Sequence, residues 1–140
     1  MLSLLATFCA GLFAGAAGYV SLVGHPTRLE LGPERALVEF RLSFPRARAI
    51  QAPLATVGAV AAGLAWVGGT GAAWLLVACL LAGIVLFSLL VVAPVYTELY
   101  NPELSPDSPE VSDRLIRWGR LHDVRSGLGV GAYLIALLSI

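Results

Sequence analysis

The stretch from Ala72 to Val95 reads AAWLLVACLLAGIVLFSLLVVAPV and contains no charged side chain. A helix that crosses a bilayer needs about 20 consecutive apolar residues, and this stretch is long enough. Three further apolar runs cover Leu2–Val23, Ile50–Val67 and Ser126–Ile140. The four runs predict an all-α integral membrane protein, folded as an up-and-down four-helix bundle.

The composition supports a membrane protein and excludes several other classes. The chain is 58% hydrophobic and 13% charged, and its formal net charge is zero. Soluble domains are about 45–50% apolar and about 25% charged. Because there is no basic surplus, we expect no nucleic-acid partner. Cys9 and Cys79 stand apart in apolar runs, without the CxxC pair of a thiol oxidoreductase.

The last apolar run is short, and the residues before it extend it into a full span. Ser108-Pro109-Glu110 has the features of a helix start: a capping hydroxyl, a proline in the first turn and an acid at the positive end of the dipole. We therefore expect one membrane domain, residues 1–140, with spans at about 2–23, 48–67, 72–95 and 113–139 and long connections at 24–47 and 96–112.

The arginines of the connections set the expected orientation. All nine basic side chains are arginines, and they lie in or next to the two long connections. The positive-inside rule places these connections in the cytoplasm and both termini outside, in a plasma or inner membrane. Within the first connection, Leu37, Phe40 and Phe44 share one helical face. This pattern predicts a short amphipathic helix between spans one and two, on the membrane surface or extending span two, with a break at Pro45.

Polar side chains of the last span form one stripe. Trp118, His122 and Arg125 are spaced i, i+4 and i+7. If Ile140 marks the outer edge of the hydrocarbon, Arg125 lies roughly 22 Å and His122 roughly 27 Å below it. An arginine at such depth is costly and usually faces a cavity or a partner, so we expect it to point into the bundle. The alternative is an arginine that snorkels to the headgroups.

Three other polar residues stand at span ends on the same side of the membrane. His25 closes span one, Gln51 opens span two and Asn101 follows span three. Together with the stripe of the last span they predict a polar site above an apolar cavity, which is the usual arrangement of a small-molecule pocket.

These motifs carry a resemblance to a known family. Val23-Gly24-His25-Pro26, Gln51, Asn101 and Trp118-x3-His122-x2-Arg125 resemble the anthrone oxygenase-like family of small four-helix membrane proteins, many of which have unknown function. The resemblance covers nearly the whole chain. It implies oxidation of a lipophilic, anthrone-like aromatic molecule by molecular oxygen, with no metal or flavin required.

The residue types suggest how such a reaction would proceed. His122 is expected to be the catalytic base, since an imidazole with an ordinary pKa of about 6.5 suits proton transfer near neutrality. Arg125 is expected to stabilise the resulting anion. The remaining four are expected to contact the substrate: His25, Gln51, Asn101 and Trp118.

Two other functions remain open from the sequence. His25 and His122 could be axial ligands of a haem, or could bind a metal ion with Glu39 or Glu98. A non-catalytic packing or transport subunit is the third possibility. The small-residue stripes Gly11-x3-Gly15 and Gly127-x3-Gly131 would then be helix–helix interfaces, and they could equally build a homo-oligomer of an enzyme.

Overall fold

A computed structural model describes residues 1–140 and contains only helices and the connections between them. The helices are α1 (Leu2–Tyr19), α2 (His25–Glu30), α3 (Pro33–Val67), α4 (Ala72–Phe87), α5 (Ala93–Leu99) and α6 (Pro109–Leu138), with π-helical turns at Val20–Gly24 and Ser88–Val92. The π turns join α1 to α2 and α4 to α5 without a loop. The chain therefore folds into four rods that pack in the cyclic order α1, α3, α4, α6. The predicted all-α four-helix bundle is confirmed.

Three of the rods are long and apolar enough to cross a membrane: Leu2–Glu30, Pro33–Val67 and Ala72–Leu99. Helix α6 is not among them, because its first half is charged. With 35 residues in α3 and 30 in α6, these two helices are about 52 Å and 45 Å long, longer than a hydrocarbon layer of about 30 Å. We call the end of the bundle with Leu31–Gly32 and residues 100–108 the loop end, and the opposite end the glycine-turn end.

The first long connection differs from its prediction. Residues 24–47 are almost entirely helical, and the chain reverses at Leu31–Gly32, where Gly32 has a φ of 82°. Of the two placements expected for the amphipathic segment, the structure has the second: the segment extends span two and forms the beginning of α3. The expected break at Pro45 is wrong, because α3 continues through this proline. Its apolar face, including Leu37 and Phe40, packs against α5 and α6. This packing, rather than a lipid surface, aligns the segment with the bundle.

Each π turn precedes a proline by two residues. Gly24 is followed by His25-Pro26, and Val92 is followed by Ala93-Pro94. A proline inside a helix lacks the N–H that would bond the carbonyl four residues earlier, and its ring clashes with that carbonyl. A π turn widens the helix by one residue per turn and accommodates this clash. The rod formed by α1 and α2 and the rod formed by α4 and α5 thus both depart from regular α-helical geometry just before a proline.

The interior consists of two apolar clusters. The cluster toward the glycine-turn end is rich in alanine and includes Phe13, Trp74 and Leu81. The cluster toward the loop end includes Phe40 and Trp118 and is formed by α3, α5, α6 and the segment that precedes α6. Seven polar side chains are buried as well: Thr7, His25, Arg28, Gln51, His122, Arg125 and Ser126.

The second connection covers residues 100–108. Arg41 holds the start of this connection in place with two hydrogen bonds. Its Nε donates to the carbonyl oxygen of Leu99 at 2.9 Å, and its Nη2 donates to that of Asn101 at 3.2 Å. Helix α6 begins at Pro109 as predicted, but Ser108 makes no capping hydrogen bond, and its buried hydroxyl has no partner.

The two glycine stripes are only partly used within the chain. A Cβ on Gly11 would lie 2.9 Å from a ring carbon of Tyr133, so α1 and α6 approach closely there. Gly15, Gly127 and Gly131 have open space beside them. The homo-oligomer expected from these stripes stays a prediction.

Candidate functional site

A cavity of about 200 Å³ lies between the two apolar clusters. Both π turns contribute to its wall, through Val20 and Gly24 on one side and Ser88, Leu89 and Val92 on the other. Most of the remaining wall is apolar. Besides the hydroxyl-bearing residues Tyr19, Ser88 and Tyr96, the side chains with polar groups in the wall are Arg28, Glu39, Ser43, Arg48, Gln51, Trp118, His122 and Arg125. The cavity is larger than the roughly 150 Å³ that holds a benzene molecule, and it is smaller than most drug-sized pockets.

His122 points into the bundle, with 2% of its surface exposed. Its Nε2 lies 3.2 Å from the carbonyl oxygen of Ala17 on α1. Because a carbonyl only accepts, Nε2 carries the hydrogen, and in the neutral ring the lone pair is on Nδ1. That Nδ1 lies 3.4 Å from Nη1 of Arg125, a long contact that a ligand atom can replace. The basic nitrogen of His122 is therefore the one next to the arginine.

Arg125 is also buried, with 8% exposure, and the expectation that it points inward is confirmed. Its guanidinium carbon lies 5.8 Å from the ring centre of Phe13. No carboxylate pairs with it, and its Nε has no hydrogen-bond partner. The hydroxyls of Ser21 and Ser126 are 2.8 Å apart and link the π turn Val20–Gly24 to α6.

Trp118 fills the space between the two histidines. Its ring stacks on His122 with a centroid distance of 4.9 Å and an interplanar angle of 17°, and it is tilted against His25 at 5.2 Å. The rings of Phe40 and Phe44 meet its edge at 5.0 and 5.9 Å. The indole is thus held by aromatic contacts on several sides and forms part of the cavity wall.

A second buried arginine, Arg28 on α2, was not predicted as a site residue. It is 5% exposed, and it donates to Nδ1 of His25 at 2.9 Å and to the hydroxyl of Ser43 at 3.1 Å. Its Nε forms an ion pair with Glu39, whose side chain is 40% exposed. The sequence contains a signal for this group, because His25-x2-Arg28 repeats the spacing of His122-x2-Arg125.

The structure brings most of the predicted site residues together. Gln51, Trp118, His122 and Arg125 line the cavity, and Gln51 is 3% exposed. His25 is buried one layer away, behind Trp118. Asn101 does not join them: it is exposed in the second connection, where its Oδ1 accepts a hydrogen bond from the backbone N–H of Glu103.

The predicted metal ligands do not form a ligand set. Trp118 separates the two imidazoles, and Nε2 of His122 faces a backbone carbonyl. Of the two acids considered, Glu39 pairs with Arg28 and Glu98 lies 3.3 Å from a nitrogen of Arg114. No three His, Cys, Asp or Glu side chains are grouped closely enough to share a metal ion. These residues do not fit a haem or metal centre without rearrangement.

Comparison with known proteins gives one result. The family model described as anthrone oxygenase matches residues 40–135, about two thirds of the chain. This range contains α4 and α5 and most of α3 and α6, and it leaves out α1 and α2. No curated protein and no solved structure matches the chain.

Proposed function

The chain belongs to the anthrone oxygenase family, and we propose that it is a membrane-embedded, cofactor-independent oxygenase that acts on a lipophilic aromatic molecule of the anthrone type. One observation carries the proposal: a buried imidazole and a buried guanidinium lie side by side on a mostly apolar cavity that is partly open to the outside. A base and a cation in a water-poor slot are what this chemistry requires of a protein.

The first step of the proposed reaction is proton removal. An anthrone carries an acidic CH₂ group opposite its carbonyl. Nδ1 of His122 takes one proton from this carbon, and the electron pair delocalises onto the carbonyl oxygen. Arg125 then exchanges its long contact with His122 for a charge-assisted hydrogen bond to that oxygen. The amide of Gln51 is a second donor for the same oxygen, and Trp118 stacks on the flat ring system.

The second step is oxidation by molecular oxygen. The electron-rich carbanion carbon reduces O₂ and forms a carbon–oxygen bond, which gives a hydroperoxide after protonation. Loss of water from this hydroperoxide leaves a second carbonyl. One oxygen atom of O₂ enters the product and the other leaves as water, so the carbanion itself supplies the electrons.

The bundle suits a substrate that arrives from the membrane. We propose that the protein is inserted in a plasma or inner membrane with its loop end in the cytoplasm, since the arginines collect at that end. The exposed lining residues Arg48, Ala52 and Leu89 belong to α3 and to the π turn after α4. A lipophilic molecule would reach the cavity through the crevice between these two segments.

The test is oxygen uptake by purified protein supplied with an anthrone. His122→Ala is expected to lower turnover by at least about 100-fold, because it removes the base. Asp123→Ala changes the exposed neighbouring residue on the same helix and should retain full turnover. A circular dichroism melt of both variants shows that they are folded. Undiminished oxygen uptake by folded His122→Ala would refute the assignment of the base.

A further inference from the structure

The charges around the cavity do not balance. Three guanidinium groups line it, those of Arg28, Arg48 and Arg125, and the only carboxylate in the wall is that of Glu39. Arg48 is exposed and lies over the ring of Tyr96 at 5.5 Å, so it has access to solvent. The excess positive charge that is shielded from solvent is therefore that of Arg125.

The two His-x2-Arg pairs provide an internal comparison. Arg28 and Arg125 each contact the histidine three residues earlier, through Nη1 to Nδ1. Arg28 additionally has the carboxylate of Glu39 and the hydroxyl of Ser43. Arg125 has neither kind of partner, although it is buried to the same degree. Since buried charges in proteins are nearly always paired, the partner of Arg125 has to come from outside the chain.

We infer that the cavity binds its aromatic ligand as an anion. An oxygen of this anion pairs with Arg125 in the way that the carboxylate of Glu39 pairs with Arg28. The aromatic nature of the ligand rests on the proposed function, whereas its charge rests on the unpaired arginine. A second donor is available, because Gln51 is buried in the wall and no group of the chain hydrogen-bonds to its amide.

This inference narrows the substrate class. The substrate is an acidic enol or phenol whose conjugate base persists in the resting complex. Binding at Arg125 favours the deprotonated form, and His122 receives the proton as the ligand enters. The electron-rich anion that reacts with oxygen is then already present before oxygen arrives. A neutral ring system of the same size would lack the group that compensates Arg125.

Binding of matched probes tests the charge of the ligand. Isothermal titration calorimetry with 2-naphthoate and the neutral 2-naphthamide compares two flat rings that differ mainly in charge. In a neutral detergent we expect naphthoate to bind at least about tenfold more tightly. Arg125→Met should reduce this preference to less than about twofold, and Arg125→Lys should keep part of it. The control Arg120→Gln, on the exposed face of the same helix, should behave as the unmodified chain.

Stability gives a second readout that a purely structural arginine would not produce. A buried charge without a partner carries a desolvation cost that nothing in the chain offsets, and an apolar side chain of similar volume removes this cost. We expect Arg125→Met to melt at the same temperature as the unmodified chain or higher, and naphthoate to raise the melting temperature only when Arg125 is present. A lower melting temperature for Arg125→Met without ligand would contradict an unpaired charge.

Three results would overturn the inference. The first is equal affinity for the two probes in the unmodified chain. The second is a naphthoate preference that survives Arg125→Met. The third is displacement of naphthoate by added phosphatidylglycerol, which would assign the site to a lipid headgroup. Oxygen uptake is measured separately, so a charge preference without uptake refutes the proposed oxygenase and leaves the anion site intact.

Discussion

Adding a methyl group at Gly119 is predicted to disrupt the contact between α2 and α6. An ideal Cβ at this position would lie 2.3 Å from Nε2 and 2.5 Å from Cδ2 of His25. Both distances are about 1 Å shorter than an ordinary van der Waals contact. The imidazole cannot rotate away freely, because Nδ1 accepts a hydrogen bond from Arg28 and the ring lies against Trp118.

The expected size of the effect follows from two opposing terms. Overpacking a closely packed interior costs about 1–3 kcal/mol. Alanine in place of glycine inside a helix contributes about 1 kcal/mol in the other direction. Gly127→Ala, on the same helix, is the matched control, since nothing lies within 4 Å of its Cβ position. Both variants gain the same contribution from replacing glycine by alanine inside a helix, so this contribution cancels in the comparison. Gly119→Ala should therefore be about 1–3 kcal/mol less stable than Gly127→Ala.

The assay is thermal unfolding in detergent, followed by circular dichroism, in two backgrounds. In the unmodified background the two alanine variants should separate by several degrees. In a His25→Ala background the imidazole is gone, and the gap between them should close. Equal melting temperatures in the first background, or a gap of the same size in both, would show that His25 does not pack against Gly119.

Two further predictions concern groups near the site. Glu39→Gln removes the carboxylate paired with buried Arg28 and should lower the free energy of unfolding by about 1–3 kcal/mol. The control Glu34→Gln changes an exposed residue without an ion pair and should alter this free energy by less than about 0.5 kcal/mol. Similar melting curves for the two variants would contradict the pairing. Arg41→Ala removes two hydrogen-bond donors to the carbonyl oxygens of Leu99 and Asn101. This variant should show faster amide hydrogen exchange across residues 100–108. An unchanged exchange pattern would show that Arg41 does not stabilise this connection.

Features that depend on neighbouring residues along one helix were predictable from the sequence. Apolar runs are sufficient to place helices, because a membrane span must satisfy its backbone hydrogen bonds internally. The spacing of Trp118, His122 and Arg125 was sufficient to place them on one face, and depth in the apolar layer was sufficient to turn that face inward. Gln51 was found by the same argument, since an amide in contact with lipid is costly.

Features that depend on contacts between helices were not predictable. Apart from the His25-x2-Arg28 spacing, nothing local distinguishes Arg28 or Glu39 from the other charged residues of the first connection. Their pairing forms only when α2 turns back along α3 at Gly32. The prediction of Asn101 as a site residue was based on its position after span three. The structure shows that α5 carries the chain past the cavity before it reaches Asn101, which then faces solvent.

The position of the cavity follows from residues that carry no reactive group. A bundle interior packs as densely as an organic crystal and leaves no room for a ligand unless the helices are held apart. Here the wall includes residues of both π turns, and each π turn is followed by a proline, Pro26 or Pro94. Single π turns inside helices are frequent at functional sites. The imidazole and the guanidinium supply the proposed chemistry, and the two irregular turns, which carry no titratable group, form part of the wall of the cavity that these side chains line.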